Sequence, residues 1–394
     1  MRLLRPAIPI IGLLLALGGG GFGLAQVLPA DHWQRPLPPQ GEAPQSWTAR
    51  ERSLKPEDCG VCHAHKLAQW RTSLHAKAFS PGLVGQLLTY DAEDTAACMQ
   101  CHAPLAEQRQ AFEAARRKGK AHLPAEQGLA AAGNPCAGCH VRGNRRFGPP
   151  HRRTAAVGQS DPNGPHGGVM RTADFEKSDF CAACHQFSQD QAINGKPLEN
   201  TNVEWQASPA ARENKTCQSC HMPDRKHLWR GIHDPDMVRS GVTPEFLAAP
   251  DRAIFRLANT GVGHAFPTYV TPKVMLMGVA LDERGELIAG TEVSSVIQRR
   301  VESIDGDWIE HADTRLLPGQ SATLQLPWPR TGVVRLWLEV HPDDFYDHDV
   351  YDGLLRDLPK DSAAAQLIAE ADRRAQANRY RLFETTLRRP QDRP

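Results

Sequence analysis

The chain has 394 residues, with 46 Lys and Arg against 45 Asp and Glu, a formal net charge of +1. That length has room for two or three domains, and so even a balance excludes a polybasic protein built for nucleic acid or for anionic lipid; partners must be chosen by local patches. All ten cysteines fall in five copies of one motif, Cys-x-x-Cys-His, and this conditions how every element is read.

Residues 1–30 begin with Arg2 and Arg5 and run apolar from Pro6, which predicts an export signal. Gly23-Leu24-Ala25 fits a small-x-small cleavage site only loosely. Roughly 24 apolar or small residues are enough to span a bilayer, so a retained membrane tether is the alternative, weakened as a helix by the glycine run Gly18 to Gly21. Either way the remainder is delivered outside the cytoplasm, and the periplasm is the expected location. Residues 31–50 (QRPLPPQGEAPQSW at their centre) are rich in proline and polar side chains and predict an extended linker.

Residues 51–245 hold the five motifs: Cys59-Cys62-His63, Cys98-Cys101-His102, Cys136-Cys139-His140, Cys181-Cys184-His185 and Cys217-Cys220-His221. They recur every 36 to 45 residues, but the sequences between them are dissimilar, which predicts one mainly helical and irregular domain rather than a repeat array. Helices are expected over 56–71, 105–118 and 201–212. The stretch Val141 to Arg153 is the most basic; it reads as a solvated loop or as counter-ions for the carboxylates of a bound cofactor before it reads as a docking patch.

After Pro244 the pattern changes. Alternating runs at 252–258, 273–281, 292–301, 321–327 and 333–340, separated by turn residues, predict an antiparallel β-sandwich over 246–352. The tail, 353–394, reads as helical and either packs back on the body or mediates assembly into a homo-oligomer. The fold class expected is thus α+β and multidomain.

Two thiols three residues apart on a helical turn can meet two vinyl groups on one porphyrin edge, and the next imidazole then falls under the iron. Five such units predict five covalently bound c-type haems. Zinc would need two Cys-x-x-Cys units per tetrahedral site and leave one unmatched. A thioredoxin-type pair explains one unit, and a disulfide framework gives no reason for a histidine at the same place each time. With haems standing in for side chains, the scarcity of long aliphatic runs before residue 245 becomes intelligible.

Each iron then needs a second axial ligand or an open face, and that choice separates carrier from catalyst. His75 follows His63 by twelve residues and His233 follows His221 by twelve, with Trp70 and Trp229 in between, able to pack on a porphyrin. His166 sits among glycines that allow backbone to approach a flat cofactor, and His264 lies in a turn from which the sandwich can reach a haem. The fifth ligand is open among His227, His122 and His151. Met170, Met222 and Met237 are alternatives that the supply of histidines makes unnecessary.

The segments CGVCHAHKLAQWRTSLHAKAF, CAGCHVR, EWQASPAARENKTCQSCHMP and HLWRGIH resemble the multihaem c-type cytochromes of the superfamily containing pentahaem nitrite reductase, hydroxylamine oxidoreductase and the tetrahaem cytochrome of ammonia oxidisers. Trp70, Ser73 and His75 look like that group's distal-ligand element, and GHAFPT around His264 is similar to a motif opening a β-rich region in some members. The resemblance spans about Lys55 to Tyr351 and implies haems in close stacked and perpendicular pairs. It departs where the pentahaem nitrite reductases carry lysine at the catalytic haem, since no Cys-x-x-Cys-Lys is present. Nor do the five motifs and the contexts of Tyr90, Tyr269, Tyr346, Tyr351 and Tyr380 match the eight haems and tyrosine crosslink of hydroxylamine oxidoreductase.

The function expected is electron transfer between a quinol-linked or cytochrome donor and a terminal reductase or extracellular acceptor. The alternative is an oxidoreductase acting on a small nitrogen or sulfur oxyanion at one five-coordinate haem, with His122, Arg145, Arg146, His151 and Lys177 as available donors. A third role is structural, with the sandwich docking a partner or forming filaments. The default for the sandwich is a lid that shields haems and supplies one ligand.

Overall fold

The computed structural model describes residues 28–117, 128–304 and 307–391. The apolar stretch at 1–27 lies outside them, as does His122; among the described residues no helix is long and apolar enough to cross a membrane. The part that carries the motifs consists of short helices, loops and six strands of two to four residues between Val141 and Pro197. The expected helix over 56–71 is two, Pro56–Gly60 and Ala64–Arg71, because the first motif turns the chain between them. The one over 201–212 is likewise split, into Thr201–Gln206 and Pro209–Arg212, where Pro209 starts a new helix behind the Ser208 cap. Ala106–Arg117 is the third.

Nine strands follow: β1 (Val242–Ala248), β2 (Arg252–Asn259), β3 (Lys273–Ala280), β4 (Val293–Ile297), β5 (Arg299–Ile304), β6 (Asp307–Asp313), β7 (Ser321–Pro327), β8 (Val333–His341) and β9 (Tyr380–Arg388). They form one sheet in the order β4-β3-β8-β9 and a second in the order β7-β2-β1, both antiparallel throughout, with β5-β6 as a separate hairpin. Alternate residues point inward, so Phe255 and Leu257 of one sheet meet Leu276, Leu336 and Leu338 of the other in a single buried core. Gly278 lies between the sheets, where a Cβ would come within 3.0 Å of Leu336 and 3.2 Å of Leu324.

Three further expectations from the sequence are not met. The run 292–301 is not one strand: it breaks at Gln298, because Arg299 turns its guanidinium inward to the carbonyls of Ile193, Lys196 and Pro197 and to Glu310. The tail is not helical throughout. Its helix, Ala363–Ala377, buries Ala364, Ala365, Ile368, Ala371 and Ala375 on one face, against a helix at Pro81–Leu87 where Gly82 and Gly85 leave room, and the chain then returns as β9. Finally, residues 31–47 are no free spacer. Leu28 N–H donates to Asp174 at 2.7 Å, Asn144 donates to Gln40 C=O at 2.8 Å, and His32, Leu37 and Gln40 are buried, so this stretch is a strap laid across the motifs.

Candidate haem-binding sites

Every motif is wound into a helical turn. Cys136–His140 and Cys217–His221 are short helices in themselves; Cys98–His102 and Cys181–His185 end the helices Ala92–His102 and Asp179–His185. In Cys59–His63 the His63 N–H closes the turn on Cys59 C=O at 2.9 Å. A helical turn sets both thiols of a pair on one side, with the histidine following.

No two of the ten cysteines are joined in a disulfide, and the motifs touch one another. Cys59 lies beside Cys136, Cys101 beside Cys184, and Cys181 beside Cys217, each thiol close enough to shift its neighbour. Arg35 of the strap donates to Cys101 Sγ at 3.2 Å and to Cys184 Sγ at 3.1 Å. The fourth motif is therefore a junction between the second and the fifth, while the first abuts the third.

Three pairs of imidazoles face each other across a gap. Ring centres are 6.1 Å apart for His75 and His185, 6.1 Å for His140 and His227, and 6.3 Å for His221 and His264. Two imidazoles bound to one metal ion at metal–nitrogen distances of about 2.0 Å set their ring centres about 6 Å apart. Each gap therefore has the width of a bis-imidazole site.

The rings are aimed from behind. Nδ1 of His102, His140, His221, His227 and His264 meets the carbonyl of Ala78, Phe147, Arg230, Arg225 and Ala265 respectively, at 2.6 to 3.1 Å, which leaves Nε2 as the free nitrogen. Burial, reinforced by neighbouring imidazoles, pushes His75 and His227 down to about 3, and burial holds His264 at about 4. All three are thus neutral, the form that binds metal. His185 is different. Its Nδ1 meets the Glu199 carboxylate at 2.8 Å; burial alone would lower it, but the carboxylate prevails and pushes it up to about 9. Donor set, gap width and ring orientation all fit c-type haem.

Of the other expected ligands, His166 lies near enough to His63 to be affected by its charge, with Nδ1 on Gly168 C=O at 3.0 Å and its own N–H on Glu51 at 2.9 Å. His233 is engaged elsewhere: its Nε2 meets Asp343 at 2.9 Å and its buried Nδ1 has no partner. The spacing of twelve after His221 thus does not bring it opposite a motif histidine, whereas His227, earlier in the same loop, stands opposite His140. Among the described residues no imidazole pairs with His102. Tyr90 and Phe79 border Cys98 there, and Tyr346 is pushed up to about 12 by burial and then by Cys98.

The donors considered for a catalytic face do not converge. Arg145 lies over the Phe147 ring, Arg146 donates to the carbonyls of Asn144 and Glu51, His151 meets Thr154, and Lys177 pairs with Asp174 at 2.7 Å. Two residues carry no sequence signal for their roles, because both act through the fold. One is Glu199, behind His185. The other is Glu204, which with Arg315 at 2.9 Å accepts the Ala265 N–H at 3.2 Å and so sets the loop of His264. Arg315 in turn bonds Asp313 at 2.8 Å.

Comparison with known proteins agrees with the site. The model of the family described as cytochrome c554 and c-prime matches residues 58–126, which take in the first two motifs. Among solved structures, the penta-heme cytochrome c552 from Thermochromatium tepidum is similar in fold, with 20% identity, a TM-score of 0.56, and coverage of 79% of this chain and 96% of that one. No curated protein matches the chain. Family model, fold and motifs together support a multihaem c-type cytochrome with covalently bound haem.

Proposed function

We propose that this chain is an exported pentahaem c-type cytochrome that passes electrons between a membrane or periplasmic donor and a terminal reductase or extracellular acceptor, with residues 1–30 as its export signal or tether. The observation that carries the reading is the set of three facing imidazole pairs. In this reading ten cysteines would anchor five haems, and His185 with His75, His140 with His227 and His221 with His264 would hold the iron of three. His63 with His166 serves a fourth. Bound haem supplies one-electron chemistry, and two imidazoles hold it low-spin. The protein's part is to hold each ring by its Nδ1, to exclude water, and to keep the motifs in contact so that neighbouring groups lie close.

His264→Ala tests this directly. One haem should turn high-spin by electron paramagnetic resonance while the remaining low-spin signals persist, and an unchanged spectrum removes His264 from the ligand set.

The second reading, a multihaem oxidoreductase acting on a small nitrogen or sulfur oxyanion, is favoured by one feature: Tyr90 and Tyr346 both lie near Cys98 of the second motif. A high-spin signal in the unaltered protein that shifts on adding nitrite, cyanide or carbon monoxide supports it. Full low-spin character with no shift excludes it.

A further inference from the structure

The loop between the fifth motif and the sandwich reaches three sites at once. Arg230 C=O holds His221 at 2.6 Å, the His227 ring stands opposite His140, and Trp229 lies between two imidazoles of different pairs. Its ring centre is 4.6 Å from that of His75 and 5.0 Å from that of His227, edge-on to both, at interplanar angles of 70° and 81°. Each contact locks an imidazole by a neighbour distant along the chain or across the loop rather than by a helix of its own.

The backbone shows that this position is held against local preference. Trp229 has a φ of 43°, as Asp224 and Arg225 just before it have 55°, a left-handed conformation that costs a bulky side chain and persists only where the surroundings enforce it. The enforcing contacts come from the first motif's helix. His227 N–H donates to Gln69 Oε1 at 2.9 Å and Lys66 donates to Arg225 C=O at 2.5 Å, so the loop is tied to the helix Ala64–Arg71 that leads to His75.

We infer that Trp229 is a positioning residue that holds the distal imidazoles of two neighbouring haems, His75 at the fourth motif and His227 at the third, in one relation, so that axial ligation at the two sites is gained or lost together. The inference rests on the pairing of His75 with His185 and of His227 with His140 proposed above. Unlike His227, whose Nδ1 meets the Arg225 carbonyl, the His75 ring has this aromatic contact as its anchor, and the indole edge is the element common to both ligands.

The test compares four variants of the full haem-loaded chain by electron paramagnetic resonance and counts high-spin haems. His75→Ala and His227→Ala should each release one haem. Trp229→Ala should release both of these together, and Trp229→Phe, which keeps a flat edge, should keep both low-spin while shifting the anisotropy of two signals. Trp229→Ala releasing one haem or none overturns the coupling. Should Trp229→Ala not accumulate as folded protein, Trp229→Phe decides alone: shifts in two signals support the inference and a shift in one or none overturns it. If the histidine variants leave every haem low-spin, it is the axial assignment that fails.

Discussion

Arg315 is the side chain on which the sandwich's contribution to a haem site turns. It is buried, reaches Glu204 at 2.9 Å and Asp313 at 2.8 Å, and Glu204 holds the Ala265 N–H beside His264. Removing one partner from a buried ion pair strands the other charge and costs about 3–5 kcal/mol. Arg315→Met is therefore expected to lower the thermal midpoint and to weaken ligation at the His221 site, read as a rise in high-spin signal, because Glu204 is left without its cation while Asp313 keeps Lys196. Little of this is legible in the sequence. His264 stands out from its place in a turn, but Arg315 and Glu204 are 111 positions apart and nothing in either context announces the other. The same holds for the distal ligands. A spacing of twelve points to His75 and His233 alike, yet only His75 is brought to a motif histidine, and that is His185 of another motif. Distal placement belongs to loop packing, not to spacing along the chain.

At the scale of elements, alternation identifies the strands well and composition misjudges the strap. Residues 252–258, 273–281, 321–327 and 333–340 pair as β2, β3, β7 and β8 because their inward faces are apolar at every second position. The pattern does not reveal β1, β6 and β9. In β6 and β9 the alternation is weaker, with charged outward residues, and β9 follows directly on a strong helix. The proline-rich stretch at 31–47 has a linker's composition but a buried element's contacts, since Pro fixes a backbone that needs no ladder to lie flat on a surface. Its His32 is enclosed, with Nε2 on Cys139 C=O at 3.1 Å. Burial first, then the Arg142 charge, pushes His32 down to about 3. The unfolded imidazole titrates near 6.5, so between that pH and about 3 the detached strap binds a proton that the docked strap refuses. Docking is thus at full strength above about 6.5 and weakens as the pH falls. Protection of residues 28–47 against hydrogen exchange, taken relative to the intrinsic amide rate at each pH, is expected to fall on going from about pH 7 to about pH 5, and His32→Gln to flatten that dependence.

For the molecule as a whole, two kinds of interior are joined. Among the described residues the sandwich has a main core cluster of seventeen buried residues and a smaller one of Val279, Leu281 and Trp337, whereas the clusters among the motifs hold five and four. Apolar burial of that extent supports the sandwich on its own, and the motif-bearing part depends on the flat groups it binds. Chain made without haem attachment should retain slow hydrogen exchange in β2, β3 and β8 and lose it across residues 136–221. Equal protection in both parts would show that the motif region has a sufficient interior without cofactor. The scarcity of long aliphatic runs before residue 245 is the visible sign of this division in the sequence; how the helix Ala363–Ala377 returns to seal the motif region is not visible there, because its match is a pair of glycines in Pro81–Leu87.

One contact gives the junction a direction. Among the motif histidines His102, His140, His185 and His221, whose Nδ1 atoms are all engaged, His185 alone rests on a carboxylate, that of Glu199, and the rest on peptide carbonyls. An anionic partner makes the ring a stronger σ-donor and favours the ferric state of whatever iron it holds. The crossroads between the second and fifth motifs would then be the least hospitable stop for an electron, a summit from which charge runs downhill to either side.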